Sequence, residues 1–326
     1  MADALVQTGR PRIEISEVAW SSPRLQAKIF VKIPIVTQGL TAPKGINKDA
    51  EQLLRLAQDL LHAPGRKMDN RRVYMQGLAI KLNAHALSAY YLWQNRTRVP
   101  ILGKEDSPID FTDFSSMEVL ARACVETLTA FNYLFVEPDK DADMADFRFW
   151  AWQLAGVCQR VELVPALIEE HKTQREVDKQ FIEVTRRKIE KTLTFETLHT
   201  RKKKQVLAGR DWHPDKTLYH MCADAFGPTF GKATYAMLSS HVHSDWLSVN
   251  QFMGSTASVR PVLAANCMFI VCLVLARLCA SYAPKWRATD RIYKAHPYRE
   301  CNERFLEWTV SDEATEASRA VDGSHL

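Results

Sequence analysis

The chain has 326 residues, 46% hydrophobic and 25% charged, with a net charge of +5. That length buries a sizeable core without staples, and 12 glycines are too few for a turn-rich all-β fold or a Rossmann fold. The 7 cysteines form no C-x-x-C pair, which excludes a zinc-knuckle spacing and reads as reduced, buried thiols in a cytoplasmic protein.

The opening MADALVQTGRPRIEISE lacks the apolar core of a signal peptide. Residues 1–46 show no helical periodicity, and AKIFVKIPIVT (27–37) alternates enough for one short strand, so an extended N-terminal arm is expected. From residue 47 the pattern is helical, and a single all-helical domain is expected over 47–310. Asn47 is placed to cap a first helix whose apolar stripe falls at 53, 54, 57, 60 and 61. A long amphipathic helix follows at 70–96, and GKEDSPIDFTDF reads as a loop. Ser115 and Glu118 match a capping box that opens a helix at 115–138, apolar almost all round and therefore central.

An aromatic helix is expected at 141–164. Residues 165–209 read as one long polar helix, with Pro165 in its first turn and Gly209 past its end. Shorter helices are expected at 215–226, 229–243, 258–283 and about 296–308. The tail 311–326 is too polar to order itself. The apolar run at 261–284 is interrupted by Asn266, closed by Arg277 and bounded by prolines. A bilayer span needs about 20 apolar residues, so a buried core helix is expected and no membrane span. The fold class is all-α, an irregular multi-helix bundle with one long, basic, projecting helix and the N-terminal arm.

Three features bear on chemistry. The first is SSHVHSDWLSV (239–249). His241-Val-His243-Ser-Asp245 has the spacing of a metal-ligand set, but on a helix two residues apart diverge by about 200°, so both histidines can share an ion only if the helix ends before His241. Read along the helix instead, Tyr235, Ser239 and His243 recur at every fourth position and share one face. They can present a phenol, a hydroxyl and an imidazole to one cavity. Equally, His243 can serve a helix end, where the dipole favours it, with Ser239 bonding backbone.

The second feature is Arg122 and Glu126 in ARACVETL, one turn apart among apolar neighbours. Buried charges are paired or used, so they are a structural ion pair or a site. The third is charge. Residues 171–204 hold 11 lysines and arginines against 5 acids. Arg186, Arg187, Arg201, Lys202, Lys203 and Lys204 can track a phosphate backbone. The alternative is a solvated helix laced with pairs such as Glu183–Arg187. No Walker loop, nucleotide glycine fingerprint, G-x-S-x-G elbow or H-E-x-x-H occurs, and neither cofactor nor metal is expected.

RACVE on a central helix, followed about a hundred residues later by DWHPDKTLYHMCADAFGPTFGKATYAMLSSHVHSD, resembles the bacterial family called domain of unknown function 5677. The family pattern is R-x-x-x-E, a short helix and glycine, then Y-x-x-x-S-x-x-x-H. It falls on Arg122, Glu126, Tyr235, Ser239 and His243, and the likeness covers about 110–285. A looser likeness is to HEPN domains, helical bundles that include metal-independent ribonucleases of bacterial defence and toxin systems. Their signature is R-x(4–6)-H, and KATYAMLSS before His241 and His243 has no arginine. Arg122 on the neighbouring helix would then supply it. The likeness implies cleavage of RNA by its own 2′-hydroxyl, with His243 moving a proton, Arg122 stabilising the phosphorane and Glu126 orienting one of them. The other reading is a non-enzymatic module with a protein partner, in which the same residues are a network that fixes helix packing.

Overall fold

The computed structural model describes residues 45–63, 68–95, 97–101, 104–163, 168–242, 246–256 and 259–308. The chain divides into two compact units, 1–41 and 42–326, and the described residues all lie in the second. The expected strand at 27–37 and the expected tail at 311–326 fall outside the described residues.

The second unit is an all-α, multi-helix fold. It opens with α1 (Ile46–His62) and α2 (Asn70–Gln94). Asn47 does not cap α1: Gly45 holds that position at φ 99°, and the Asn47 amide oxygen accepts from the Trp93 indole on α2. Asp69 caps α2 by accepting from the Arg72 N–H at 2.9 Å. Met75, Ala79, Leu82, Ala86 and Ala89 turn one face of α2 into the core, while Val73, Ile80, Leu87 and Tyr91 leave an apolar stripe exposed.

The segment read as a loop supplies β2 (Lys104–Phe111), which pairs in an antiparallel hairpin with β1 (Thr97–Ile101) just before it. Its register pairs Thr97 with Phe111 and Val99 with Ile109, then shifts between Val99 and Ile101. Pro100 lies at the shift, where its missing N–H cannot continue the ladder. Two prolines in thirteen residues hid the strands from pattern reading.

α3 (Phe114–Phe135) is central, as expected, but Asp113 caps it by accepting from the Ser116 N–H at 3.0 Å. The cap lies two residues before the predicted capping box at Ser115 and Glu118, and Glu118 is buried. A 3-10 turn (Glu137–Lys140) leads into α4 (Ala142–Leu163). α8 (Leu218–Phe226), α9 (Pro228–Val242), α10 (Trp246–Gly254) and α11 (Arg260–Tyr282) follow later in the chain. α3 packs on α2, α11, α9 and α8, and α11 packs also on α1 and α2. By length and composition alone α3 and α11 could each cross a membrane; here 78% of the apolar window of α11 is buried among other helices. A helix at Arg287–Ala295 (α12), missed in the sequence, and a last one at 299–308 close the unit.

Residues 165–209 are not one projecting helix. They hold α5 (Glu169–Glu190), α6 (Leu193–Thr197) and α7 (Thr200–Leu207). The break after α5 has a local and a distant cause. Thr192 gives its hydroxyl to the Ile189 carbonyl at 2.7 Å and caps α6 through the Phe195 N–H. Asp143, at the start of α4, accepts from the Leu193 and Thr194 N–H groups and the Thr194 hydroxyl, at 2.7–2.9 Å. The chain then folds back, and Ile182, Ile189, Phe195 and Val206 join Phe147, Ala151 and Leu154 of α4 in a second small core.

Candidate functional site

The site predicted from the sequence lies where α9 meets α3. Gly231 sets the approach of α9 to α8: a Cβ there would lie 2.3 Å from the Cys222 carbonyl oxygen, so any side chain would push the helices apart. With α9 seated, Arg122 of α3 reaches it. The Arg122 Nε–H donates to Glu126 Oε1 at 2.7 Å and Nη1 donates to the Ser239 carbonyl at 3.3 Å. The guanidinium carbon lies 5.4 Å from the centre of the Tyr235 ring, within cation–π range. The structure therefore brings Arg122, Glu126, Tyr235 and Ser239 together.

Two details sharpen the chemistry. The Arg122 side chain is 11% exposed and that of Glu126 is 38% exposed, so the pair sits at the edge of the core and not sealed within it. The Ser239 hydroxyl donates to the Tyr235 carbonyl at 2.7 Å, one turn back on its own helix. That is the backbone bond the sequence left open, and it commits the hydroxyl proton to its own helix. Cys222 lies against the Thr129 hydroxyl at 3.3 Å. Burial pushes its thiol up to about 11, so it is no nucleophile at neutral pH. His243 and Asp245 lie outside the described residues. Among the described residues no group of three or more His, Cys, Asp or Glu is placed to hold a metal.

The basic residues do not lie on one helix, and several are engaged within the fold. Arg186 donates to the Leu207 carbonyl at 2.9 Å and to Glu183 at 2.7 Å, so Glu183 pairs with Arg186 and not with Arg187. Lys202 pairs with Asp211 at 2.8 Å, and Lys203 donates to the Glu196 carbonyl at 2.8 Å. Arg187, Arg201 and Lys204 are exposed. They stand on two helices, α5 and α7, because the chain breaks between them.

Sequence reading missed a more deeply buried charge cluster. Arg148 is 3% exposed. It donates to the Tyr133 carbonyl and Glu137 at 2.9 Å and to Asp215 at 2.7 Å, with its guanidinium 3.8 Å over the Tyr133 ring. Lys216 donates to Glu137 at 2.7 Å and Asp224 at 2.6 Å. These bonds pin the segment before α8 to α3 and α4. The available signal was a lone arginine inside FRFWAW: an arginine among aromatics needs an acid partner.

No curated relative and no solved structure matches the chain. Residues 109–258 match the family model described as "Family of unknown function (DUF5677)". Arg122, Glu126, Tyr235 and Ser239 all fall within the matched residues.

Proposed function

We propose that the Arg122 row is the site of a HEPN-like, metal-independent ribonuclease. The observation that carries this reading is the Arg122 guanidinium, fixed by Glu126 at 2.7 Å beside the end of α9, with His243 following Ser239 by four residues. In this mechanism the RNA 2′-oxygen attacks the adjacent phosphorus while His243 accepts its proton. Arg122 stabilises the charge on the phosphorane, and Glu126 holds the guanidinium in place. The P–O5′ bond then breaks, giving a 2′,3′-cyclic phosphate and a 5′-oxygen that takes up the proton His243 accepted. Arg187, Arg201 and Lys204 would add attraction to the backbone.

The test is cleavage of end-labelled RNA by wild type, His243→Ala and Arg122→Ala, each shown folded by circular dichroism. The reading expects each variant to lose activity by about 10²-fold or more. Equal activity in all three, or none in the wild type, overturns it. One observation favours a second reading, a non-enzymatic helical module. The hydrogen bonds of Arg122 run to Glu126 and to the Ser239 carbonyl, so the row also fastens α9 to α3. On that reading Arg122→Ala lowers the melting temperature and no RNA is cut by any form.

A further inference from the structure

A second concave site stands apart from the Arg122 row. It is a cavity of about 630 Å³ lined from α2, α4, α5 and the turn after α7, within the range of about 300–1,000 Å³ typical of small-molecule sites. Its aromatic walls are Tyr74, Trp152 and Trp212. Tyr74 is 41% exposed and stands edge-on to Trp152 at 5.6 Å. Gly209 lets the Trp212 wall close on α4: its φ is 69°, and a Cβ there would lie 2.6 Å from the Cys158 Cβ.

The polar groups in this cavity are specific. Arg160 donates to both oxygens of Asp178, at 2.9 and 2.5 Å, which fixes the plane of its guanidinium. Arg210 is exposed and forms no ion pair among the described residues. Gln153 is 6% exposed, and neither atom of its amide has a hydrogen-bond partner among the described residues. An unmet buried polar group is costly, and a ligand or water would offset that cost.

We propose that this cavity binds a nucleoside monophosphate. The base stacks on the indole walls, the phosphate meets Arg210, and Gln153 turns outward to read the base edge. The reasoning is by complementarity. A purely apolar ligand leaves Arg210 without an anion, and a bare phosphate leaves the aromatic walls unused. A base carries adjacent donors and acceptors on its edge, which one amide satisfies in pairs. Stacking on an aromatic side chain suits any base, because every base has a π-face.

Titration calorimetry on the full chain with AMP, GMP, CMP and UMP, the matching nucleosides and inorganic phosphate tests this. At least one monophosphate is expected to bind with a Kd of about 1 mM or tighter. Arg210→Ala, an exposed change that leaves the fold intact, should weaken the monophosphate about tenfold and leave its nucleoside unchanged. Trp212→Ala should weaken both, and Arg122→Ala neither, which separates this site from the proposed ribonuclease row. No binding of any monophosphate overturns the proposal. So does inorganic phosphate binding as tightly as the nucleotide, or an Arg210→Ala protein that binds like wild type.

Discussion

Arg148 and Asp215 meet at 2.7 Å although 67 residues separate them, and Arg148 is buried. Taking one partner from a buried pair leaves the other charge poorly solvated. Arg148→Ala should therefore cost about 3 kcal/mol, the lower end of the range for such pairs because Asp215 remains partly open to solvent. The double change Arg148→Met with Asp215→Asn should cost less than Arg148→Ala alone, since Asp215 no longer leaves a charge behind and Glu137 keeps Lys216 at 2.7 Å. Urea unfolding of the three variants measures this, and a loss below about 1 kcal/mol for Arg148→Ala would show that water replaces the arginine.

Three aspartates place an acid limit on the region around α4 and α5. Burial pushes Asp215 up, but the Tyr133 hydroxyl and Arg148 outweigh it and hold the carboxyl below its usual range. Arg160 holds Asp178 low, against the effect of burial. For Asp143 burial again acts upward, and the Thr194 hydroxyl and the Thr194 and Leu193 N–H groups prevail. A folded-state value below the unfolded one means stability that is fully present above the unfolded pKa, about 3.9, and lost as pH falls through the folded values. These groups should contribute nothing variable between about pH 5 and 8 and should release α5–α7 below about pH 4. Pepsin digestion across that range should cut within 164–210 first; first cuts in α3 or α11 would contradict the assignment.

Two glycines should respond in opposite ways to alanine. A Cβ at Gly77, on the exposed side of α2, meets nothing within 4 Å. Gly77→Ala should stabilise by about 0.5–1 kcal/mol through helix propensity alone. A Cβ at Gly231 meets the Cys222 carbonyl oxygen at 2.3 Å and its carbon at 2.7 Å, both backbone atoms that cannot swing aside. Gly231→Ala should cost about 1–3 kcal/mol and displace α9, with it the Arg122 contact to Ser239. Thermal melts check both signs.

What the sequence made legible follows a physical line. Helices with a one-sided or all-round apolar pattern, such as α1, α3 and α11, could be read because their burial is written in their own residues. The row Arg122, Glu126, Tyr235, Ser239 was legible because helical spacing puts each pair on one face, and charge on an apolar helix demands a partner. The break at Thr192 was not, since half of its capping comes from Asp143, 50 residues away. The Arg148 cluster joins three segments, none of which shows alone that it is a partner. The basic run shows the same limit: Arg186, Lys202 and Lys203 look free in a linear reading but find acids or carbonyls once α5 and α7 fold back.

Cysteine reactivity gives a last check, because it depends on the packing of every helix at once. All seven thiols are free, and six of them are buried. Burial pushes Cys301 up to about 11, as it does Cys222, and pushes Cys124 higher still. Cys158 is only partly buried, on the cavity side of α4. Burial and nearby Glu162 raise its thiol while Arg186 acts the other way, so it should react slowly but first. Iodoacetamide at mildly alkaline pH should label the native protein at Cys158, followed by mass spectrometry, and Cys158→Ser should abolish that label. In denaturant all seven should react. Fast native labelling of Cys267, Cys272 or Cys279 would mean that α11 is not packed in the core as described, and would undo the account of the bundle from its centre outward.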